Sequence, residues 1–127
     1  MKLPFDKDQR KAISKAAGAG IAAMRARARM TQDEVAEALG VGPEAVSRIE
    51  RGVVDPGVPR LVELAALFDC GVAELIMGAS PRASDQGALI AGQIEDLTAR
   101  ERREIAGIVR QLADLLRAKG RRQADRG

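Results

Sequence analysis

Residues 32–51 read QDEVAEALGVGPEAVSRIER. Helix formers run up to Leu39, and a second helical stretch begins at Pro43, because proline is favoured as the first residue of a helix. When two helices cross at a tight turn, the fifth residue must be small and the ninth must accept a left-handed backbone. Ala36 and Gly40 occupy these two positions. The stretch therefore predicts two short helices joined by a three-residue turn.

The apolar residues of this stretch lie where such a crossing needs contacts. They are Val35, Leu39, Val41, Val46 and Ile49. Together with the small and glycine positions they form the helix-turn-helix pattern, in which the second helix enters the major groove of DNA. The simpler alternative is an ordinary helical hairpin in a small all-α core. The coincidence of all these positions favours the helix-turn-helix.

Helical periodicity continues on both sides of the stretch, and β-branched residues nowhere alternate with polar ones over the length of a strand. The first helix is predicted over residues 8–28, where Gly18 and Gly20 leave open whether it forms one piece or two. Thr31 is the predicted cap of the second helix. The remaining helices of an N-terminal five-helix domain, residues 8–78, are predicted at residues 32–39, 43–51, 59–68 and 72–77.

The C-terminal part is predicted to contain a linker, two helices and a tail. Residues 79–87 are small and polar and predict a flexible linker, and residues 120–127 predict a disordered tail. Residues 88–119 predict a two-helix segment whose second helix begins after the cap Thr98. That helix has an apolar seam at spacings of three and four residues, which makes it a candidate for dimerisation or for packing within the chain. The seam residues are Ile105, Ile108, Leu112 and Leu115.

Composition excludes several classes of protein. The 127 residues include no histidine, one cysteine and 2% aromatic residues. Histidine–cysteine zinc sites, serine–histidine–aspartate triads and base-stacking surfaces are therefore not expected. We expect no enzyme activity, no cofactor and no metal. No apolar run approaches the roughly 20 residues of a membrane span, so a cytoplasmic protein is expected.

Charge is distributed unevenly along the chain. Residues 1–29 contain eight lysines and arginines against two acids, whereas residues 30–80 contain three arginines against nine acids. Residues 81–127 contain ten basic residues against seven acids. The basic first segment favours binding to nucleic acid, whereas the acidic middle segment argues against such binding.

The sequence from Gly20 to Met77 resembles the XRE family, the Cro- and phage-repressor-type helix-turn-helix domains. The segments that carry the resemblance are MRARARMTQDEVAEALGV, AVSRIERG and LVELAALFDCGVAELI. The resemblance implies an all-α, five-helix, lambda-repressor-like domain that binds a double-stranded DNA operator as a homodimer and usually represses transcription. It also implies a regulator in the cytoplasm that associates with the nucleoid when bound to DNA.

The resemblance implies a role for each matching residue. Gln32 would hold a phosphate, Arg48 would read guanine, and Arg51 would reach a phosphate. Arg25 and Glu50 would form a structural ion pair between the first helix and the end of the third. The full predicted DNA-binding set is Thr31, Gln32, Pro43, Glu44, Ser47, Arg48 and Arg51.

The sequence departs from the family pattern near the predicted DNA surface. Gly42 replaces the usual polar cap, Pro43 and Glu44 replace amide or hydroxyl side chains, and residues 53–55 lack a lysine or arginine. Basic residues of the first segment would have to supply the phosphate contacts. These departures keep a second function open, a protein-interaction adaptor or antitoxin-like subunit on a helix-turn-helix scaffold.

Overall fold

The computed structural model describes residues 2–127, and within that range it contains α-helices, one 3-10 turn and no strand. The prediction of an all-α fold is confirmed. The helices are α1 (Lys7–Arg27), α2 (Gln32–Leu39), α3 (Pro43–Glu50), α4 (Val58–Phe68), α5 (Val72–Ile76), α6 (Ala83–Gln93) and α7 (Ala99–Arg126), with the 3-10 turn at Met77–Ala79. The chain divides into two compact units, one ending at Ile90 and the other beginning at Ala91.

The first unit is built around α1, which packs against α3, α4 and α5, while α2 packs against α3. Each of these five helices contributes at least one side chain to a single apolar core. Burying such a side chain contributes about 1.5–3 kcal/mol to stability. The buried residues of the core are Ile21, Val35, Ala36, Val46, Leu64, Ala65, Phe68 and Leu75.

α1 is one continuous helix, although Gly18 and Gly20 lie in its middle. Both glycines are required by close contacts with other helices. A Cβ on Gly18 would lie 2.5 Å from the carbonyl oxygens of Ile49 and Glu50, and one on Gly20 would lie 2.5 Å from the carbonyl oxygen of Leu75. The glycines thus bring α1 against the ends of α3 and α5, and the packing outweighs their low helix propensity.

The predicted linker is wrong in its second half, because α6 begins at Ala83 rather than after residue 87. The Gln86 side chain donates hydrogen bonds to the carbonyl oxygens of Gly78 and Ser80, and Leu89 lies against Gly78. These contacts hold the small, polar residues in a helix. The predicted helix over residues 88–97 therefore lies earlier, and it ends at Gln93.

In the second unit, α7 begins after Thr98 as predicted, with the Thr98 hydroxyl accepting from the Glu101 amide at 3.2 Å. The Arg102 side chain donates to the carbonyl oxygens of Ile94 and Glu95, and these bonds connect the first turn of α7 to the turn that precedes it. The predicted disordered tail is also wrong, because α7 continues to Arg126. Apart from Gly120, residues 119–126 are mostly good helix formers, which allows the helix to continue.

Candidate nucleic-acid interface

The turn between α2 and α3 has the geometry that the sequence demands. Gly40 adopts the left-handed conformation, with φ 70° and ψ 30°. The backbone N–H of Val41 donates to the carbonyl of Ala36 at 3.0 Å, and that of Gly40 donates to the carbonyl of Glu37 at 3.2 Å. Because Ala36 is only 2% exposed, a larger side chain there would separate the two helices. The turn therefore fixes the angle at which α3 leaves α2.

α3 has one buried face and one exposed face. Val46 is buried and Ile49 packs partly against the core. Pro43, Glu44 and Arg48 are exposed on the other side. The helix thus presents a polar edge to solvent while its apolar edge anchors it, as an element that enters a DNA groove must do.

The end of α3 continues this polar edge. Ser47 is half-buried and Arg51 is exposed. The Nε of Arg51 donates to the Ser47 hydroxyl at 3.3 Å, so the two predicted DNA contacts are neighbours on the surface. Arg48 lies in the last turn of α3, where a cation interacts favourably with the helix dipole.

An ion pair joins the end of α1 to the end of α3. Arg25 Nε lies 2.6 Å from Glu50 Oε2, and its Nη2 donates to Glu50 Oε1 at 3.1 Å. Arg25 Nη1 also donates to the carbonyl of Met30 at 2.8 Å. The hydrogen bond to Glu50 raises the pKa of Arg25 above its usual value, and burial opposes this shift. The Glu50 side chain is only 7% exposed, so the pair is largely shielded from water.

The two residues at the start of α2 have partners within the protein. The Thr31 hydroxyl accepts from the Glu34 amide at 3.1 Å, and the Glu34 carboxylate accepts from the Thr31 amide at 3.1 Å. The Gln32 side-chain amide donates to Glu50 Oε1 at 2.9 Å. Sequence reasoning missed this last contact, because nothing in the spacing of Gln32 and Glu50 indicates that their side chains meet. Gln32 thus belongs to the support of α3.

α1 and the loop after α3 meet at a second glycine contact. Gly52 has φ 74°, and a Cβ there would lie 2.6 Å from the Cα of Lys15. The left-handed backbone and the lack of space both require glycine at this position. The contact brings the lysines of α1 next to the C-terminal end of α3.

An open groove lies at this junction, formed by the start of α1, the residues before it and the loop after α3. We call it the N-terminal groove. Its floor includes the apolar residues Phe5, Ile13 and Val53. Five basic residues line it against two acids, Asp6 and Asp55. The basic residues are Lys7, Arg10, Lys11, Lys15 and Arg51.

The seam residues predicted on the last helix all lie on α7. Ile105 is half-buried, and the others are 54–68% exposed. Within residues 2–127, no helix is long and apolar enough to cross a bilayer.

A family model described as Helix-turn-helix matches residues 21–75, the segment that contains α2, the turn and α3. Among solved structures, the chain is similar to the clp gene regulator ClgR from C. glutamicum, with 30% sequence identity and a TM-score of 0.50. That similarity covers 53% of this chain and 87% of the ClgR chain. No curated protein matches the chain. The matched segment and the similarity in sequence and structure agree with the geometry of α2 and α3, and this chain belongs to the XRE-type helix-turn-helix family.

Proposed function

We propose that this protein is a sequence-specific, double-stranded DNA-binding regulator of transcription, and that it acts as a homodimeric repressor. Residues 8–78 bind the operator, with α3 in the major groove, and residues 88–119 join two copies. The proposal places the protein in the cytoplasm, at the nucleoid when bound. It rests chiefly on α3, whose polar edge is exposed. The opposite edge of α3 packs against the core, and its C-terminal end is held by the ion pair between Glu50 and Arg25.

Base recognition is assigned to the exposed edge of α3. Arg48 can donate two hydrogen bonds to the major-groove acceptors of guanine, which discriminates by about 1–3 kcal/mol against other bases. Ser47 lies beside it and can contact a base edge or a phosphate. Glu44 is exposed in the first turn of α3, where it can accept from a cytosine amino group or simply stabilise the positive end of the helix.

Phosphate contacts are assigned to the basic residues of the N-terminal groove. The loop at residues 53–55 has no cation, so a conventional clamp there is missing. The groove supplies five basic side chains beside the end of α3 instead. Each phosphate neutralised would release counterions and make binding depend on salt.

The test is selection of operators from a randomised duplex library with the full chain, followed by affinity measurements on the selected site and on an unrelated duplex. We expect a palindromic site with half-sites about one helical turn apart. Arg48→Ala should lose the preference for one base pair, by roughly 5- to 150-fold. Arg27→Ala, which removes another exposed arginine, at the C-terminal end of α1, should keep this preference.

A second candidate function is a protein-interaction adaptor or antitoxin-like subunit. The acidic segment around α3, with Glu44 on the exposed edge, is the observation that favours it. A selection that returns no operator, together with a stoichiometric protein partner in a pull-down, would support the adaptor.

Repression itself is tested by transcription from a promoter that overlaps the selected operator, which should fall as protein is added. An increase would indicate an activator.

A further inference from the structure

The floor of the N-terminal groove contains large apolar side chains that do not belong to the core of the first unit. Among residues 2–127, the core and the side chains packed against it do not include Phe5 or Ile13, which are half-buried and line the groove. Leu3 and Val53 extend the apolar surface and are 68% and 65% exposed. A concave apolar surface with a polar rim is typical of a binding site.

The phosphate contacts assigned to this groove do not explain its apolar floor. A phosphate needs positive charge and hydrogen-bond donors, which the five basic side chains of the rim supply and the floor lacks. Of the two acids on the rim, Asp6 already accepts from the Gln9 amide at 2.8 Å as the cap of α1, which leaves Asp55. A ligand that uses both the rim and the floor must combine negative charge with apolar side chains.

The size of the groove indicates a segment of a protein rather than a small molecule. Its volume is about 1450 Å³, whereas small-molecule pockets have roughly 300–1,000 Å³. The contact between Gly52 and Lys15 fixes the loop after α3 against α1, so both walls of the groove are formed before a ligand binds. Peptide segments commonly bind to preformed apolar grooves of this kind.

We propose that the N-terminal groove binds an acidic segment of a partner protein. Its apolar side chains would contact Phe5, Ile13 and Val53, and its carboxylates would pair with the basic rim. Complementary charge selects this occupant. The α7 helix of a second copy does not have this chemistry, since it contains nine basic residues and four acids.

The same basic side chains are assigned to phosphates in the proposed function. The acidic segment and DNA would therefore compete, and the partner would release this protein from its operator. The competition rests on the proposed function, whereas the binding of the segment to the groove does not.

The probe for the groove is a synthetic peptide of about 16 residues, with leucine and phenylalanine on one helical face and glutamate on the other. A control peptide keeps the glutamates and has serine in place of leucine and phenylalanine. Fluorescence anisotropy with the full chain in about 150 mM salt measures both affinities. We expect the probe to bind at least about tenfold more tightly than the control, because only the probe covers the apolar floor. Equal affinities, or no binding of the probe at about 1 mM, would overturn the proposal.

Two pairs of variants test whether the probe binds in the groove. Val53→Gln places a polar, uncharged side chain on the floor and should weaken the probe about fivefold to tenfold. Val62→Gln makes the same change at a valine of α4 that is 52% exposed and does not line the groove, and it should have no effect. Lys11→Glu reverses a charge of the rim and should also weaken the probe, unlike Arg27→Glu at the other end of α1. Equal effects within either pair would refute this site.

Sedimentation equilibrium tests a second copy as the occupant. The probe and the variants are assigned to a partner protein only if the native chain does not associate through this groove. A native dimer that Val53→Gln abolishes would make a second copy the occupant and would refute the acidic partner.

Competition with DNA separates this inference from the proposed function. The probe at ten times its Kd should raise the apparent Kd for the selected duplex about tenfold, and the serine control at the same concentration should not. A probe that binds while DNA stays bound would refute the competition. Operator selection without probe binding would refute the groove as a peptide site alone. Probe binding that depends on Val53, with no operator selected, would refute the DNA-binding function and leave the peptide site in place.

Discussion

The side-chain amide of Gln32 donates to the Glu50 carboxylate at 2.9 Å, although the two residues are 18 positions apart. The same carboxylate accepts two hydrogen bonds from Arg25. Three helices therefore meet at one carboxylate, since Arg25 belongs to α1, Gln32 to α2 and Glu50 to α3. The contact holds the C-terminal end of α3, next to the residues assigned to DNA.

We expect Arg25→Met to lower the free energy of unfolding by about 3–5 kcal/mol, because it leaves the shielded Glu50 carboxylate without its charged partner. Chemical denaturation of the full chain measures the change. Arg60→Met is the matched control. Arg60 also pairs with a glutamate, Glu63, but both side chains are 30–50% exposed, so its removal should cost at most about 1 kcal/mol. Equal losses in the two variants would contradict a structural role for the Arg25–Glu50 pair.

The contribution of Gln32 to the free energy of unfolding can be measured separately from that of the Arg25–Glu50 ion pair. Gln32→Ala should destabilise the chain by about 1.5–3 kcal/mol, because a hydrogen bond to a charged group is lost but the ion pair remains. In the background of Glu50→Gln the same change should cost less, since the charge that strengthened the bond is gone. Additive effects in this double-mutant cycle would show that the two side chains do not interact.

Two helical glycines should respond oppositely to alanine. Gly18→Ala places a Cβ 2.5 Å from two backbone carbonyl oxygens, so α1 must move away from α3, at a cost of about 1–3 kcal/mol. Gly107→Ala in α7 meets no atom within 4 Å and should stabilise its helix by up to about 1 kcal/mol. Thermal unfolding of both variants compares them directly. A stabilising Gly18→Ala would contradict the close approach of the two helices.

The sequence predicted α2, the turn and α3 because each position there has a local requirement. Ala36 must be small, Gly40 must be left-handed and Pro43 must begin a helix, and each requirement selects few residue types. Gly18 shows where this reasoning fails. Its local effect is to weaken a helix, but its reason is the carbonyl of Glu50, 32 positions away, which no local pattern reveals.

The prediction of a linker over residues 79–87 was wrong for a related reason. Residues 79–87 have the composition of a linker, but Gln86 and Leu89 find partners in the turn at Gly78 that hold the segment helical. The N-terminal groove was also beyond prediction as a surface. The sequence showed that residues 1–29 are basic, but only the contact between Gly52 and Lys15 brings those side chains to the end of α3.

From their place in the N-terminal groove, we expect Lys11 and Lys15 to contact DNA phosphates. Lys11→Gln and Lys15→Gln should each weaken binding almost equally on selected and unrelated duplexes, and each should reduce the slope of log affinity against log salt by about one. Affinities measured at four or more salt concentrations give the slope. Arg27→Gln removes the same charge roughly 24 Å from Lys11 along α1, by the rise per residue, and should leave the slope unchanged. A slope that Arg27→Gln lowers equally would indicate a general effect of net charge.

The stability of the helix cap at the start of α7 should depend on pH, because Glu101 is part of that cap. Hydrogen bonds from the backbone and the side chain of Thr98 lower the pKa of Glu101 below its usual value. The folded state therefore favours the ionised carboxylate, and the contribution of this cap is complete above the ordinary glutamate pKa and is lost as the pH falls through the lowered one. The amide signal of Thr98, followed by NMR, should shift with a midpoint below the ordinary value of about 4.3. Glu101→Gln keeps a capping partner that does not titrate, so its Thr98 signal should show no such midpoint. A midpoint at or above the ordinary value in the native chain would mean that the carboxylate does not hold the cap.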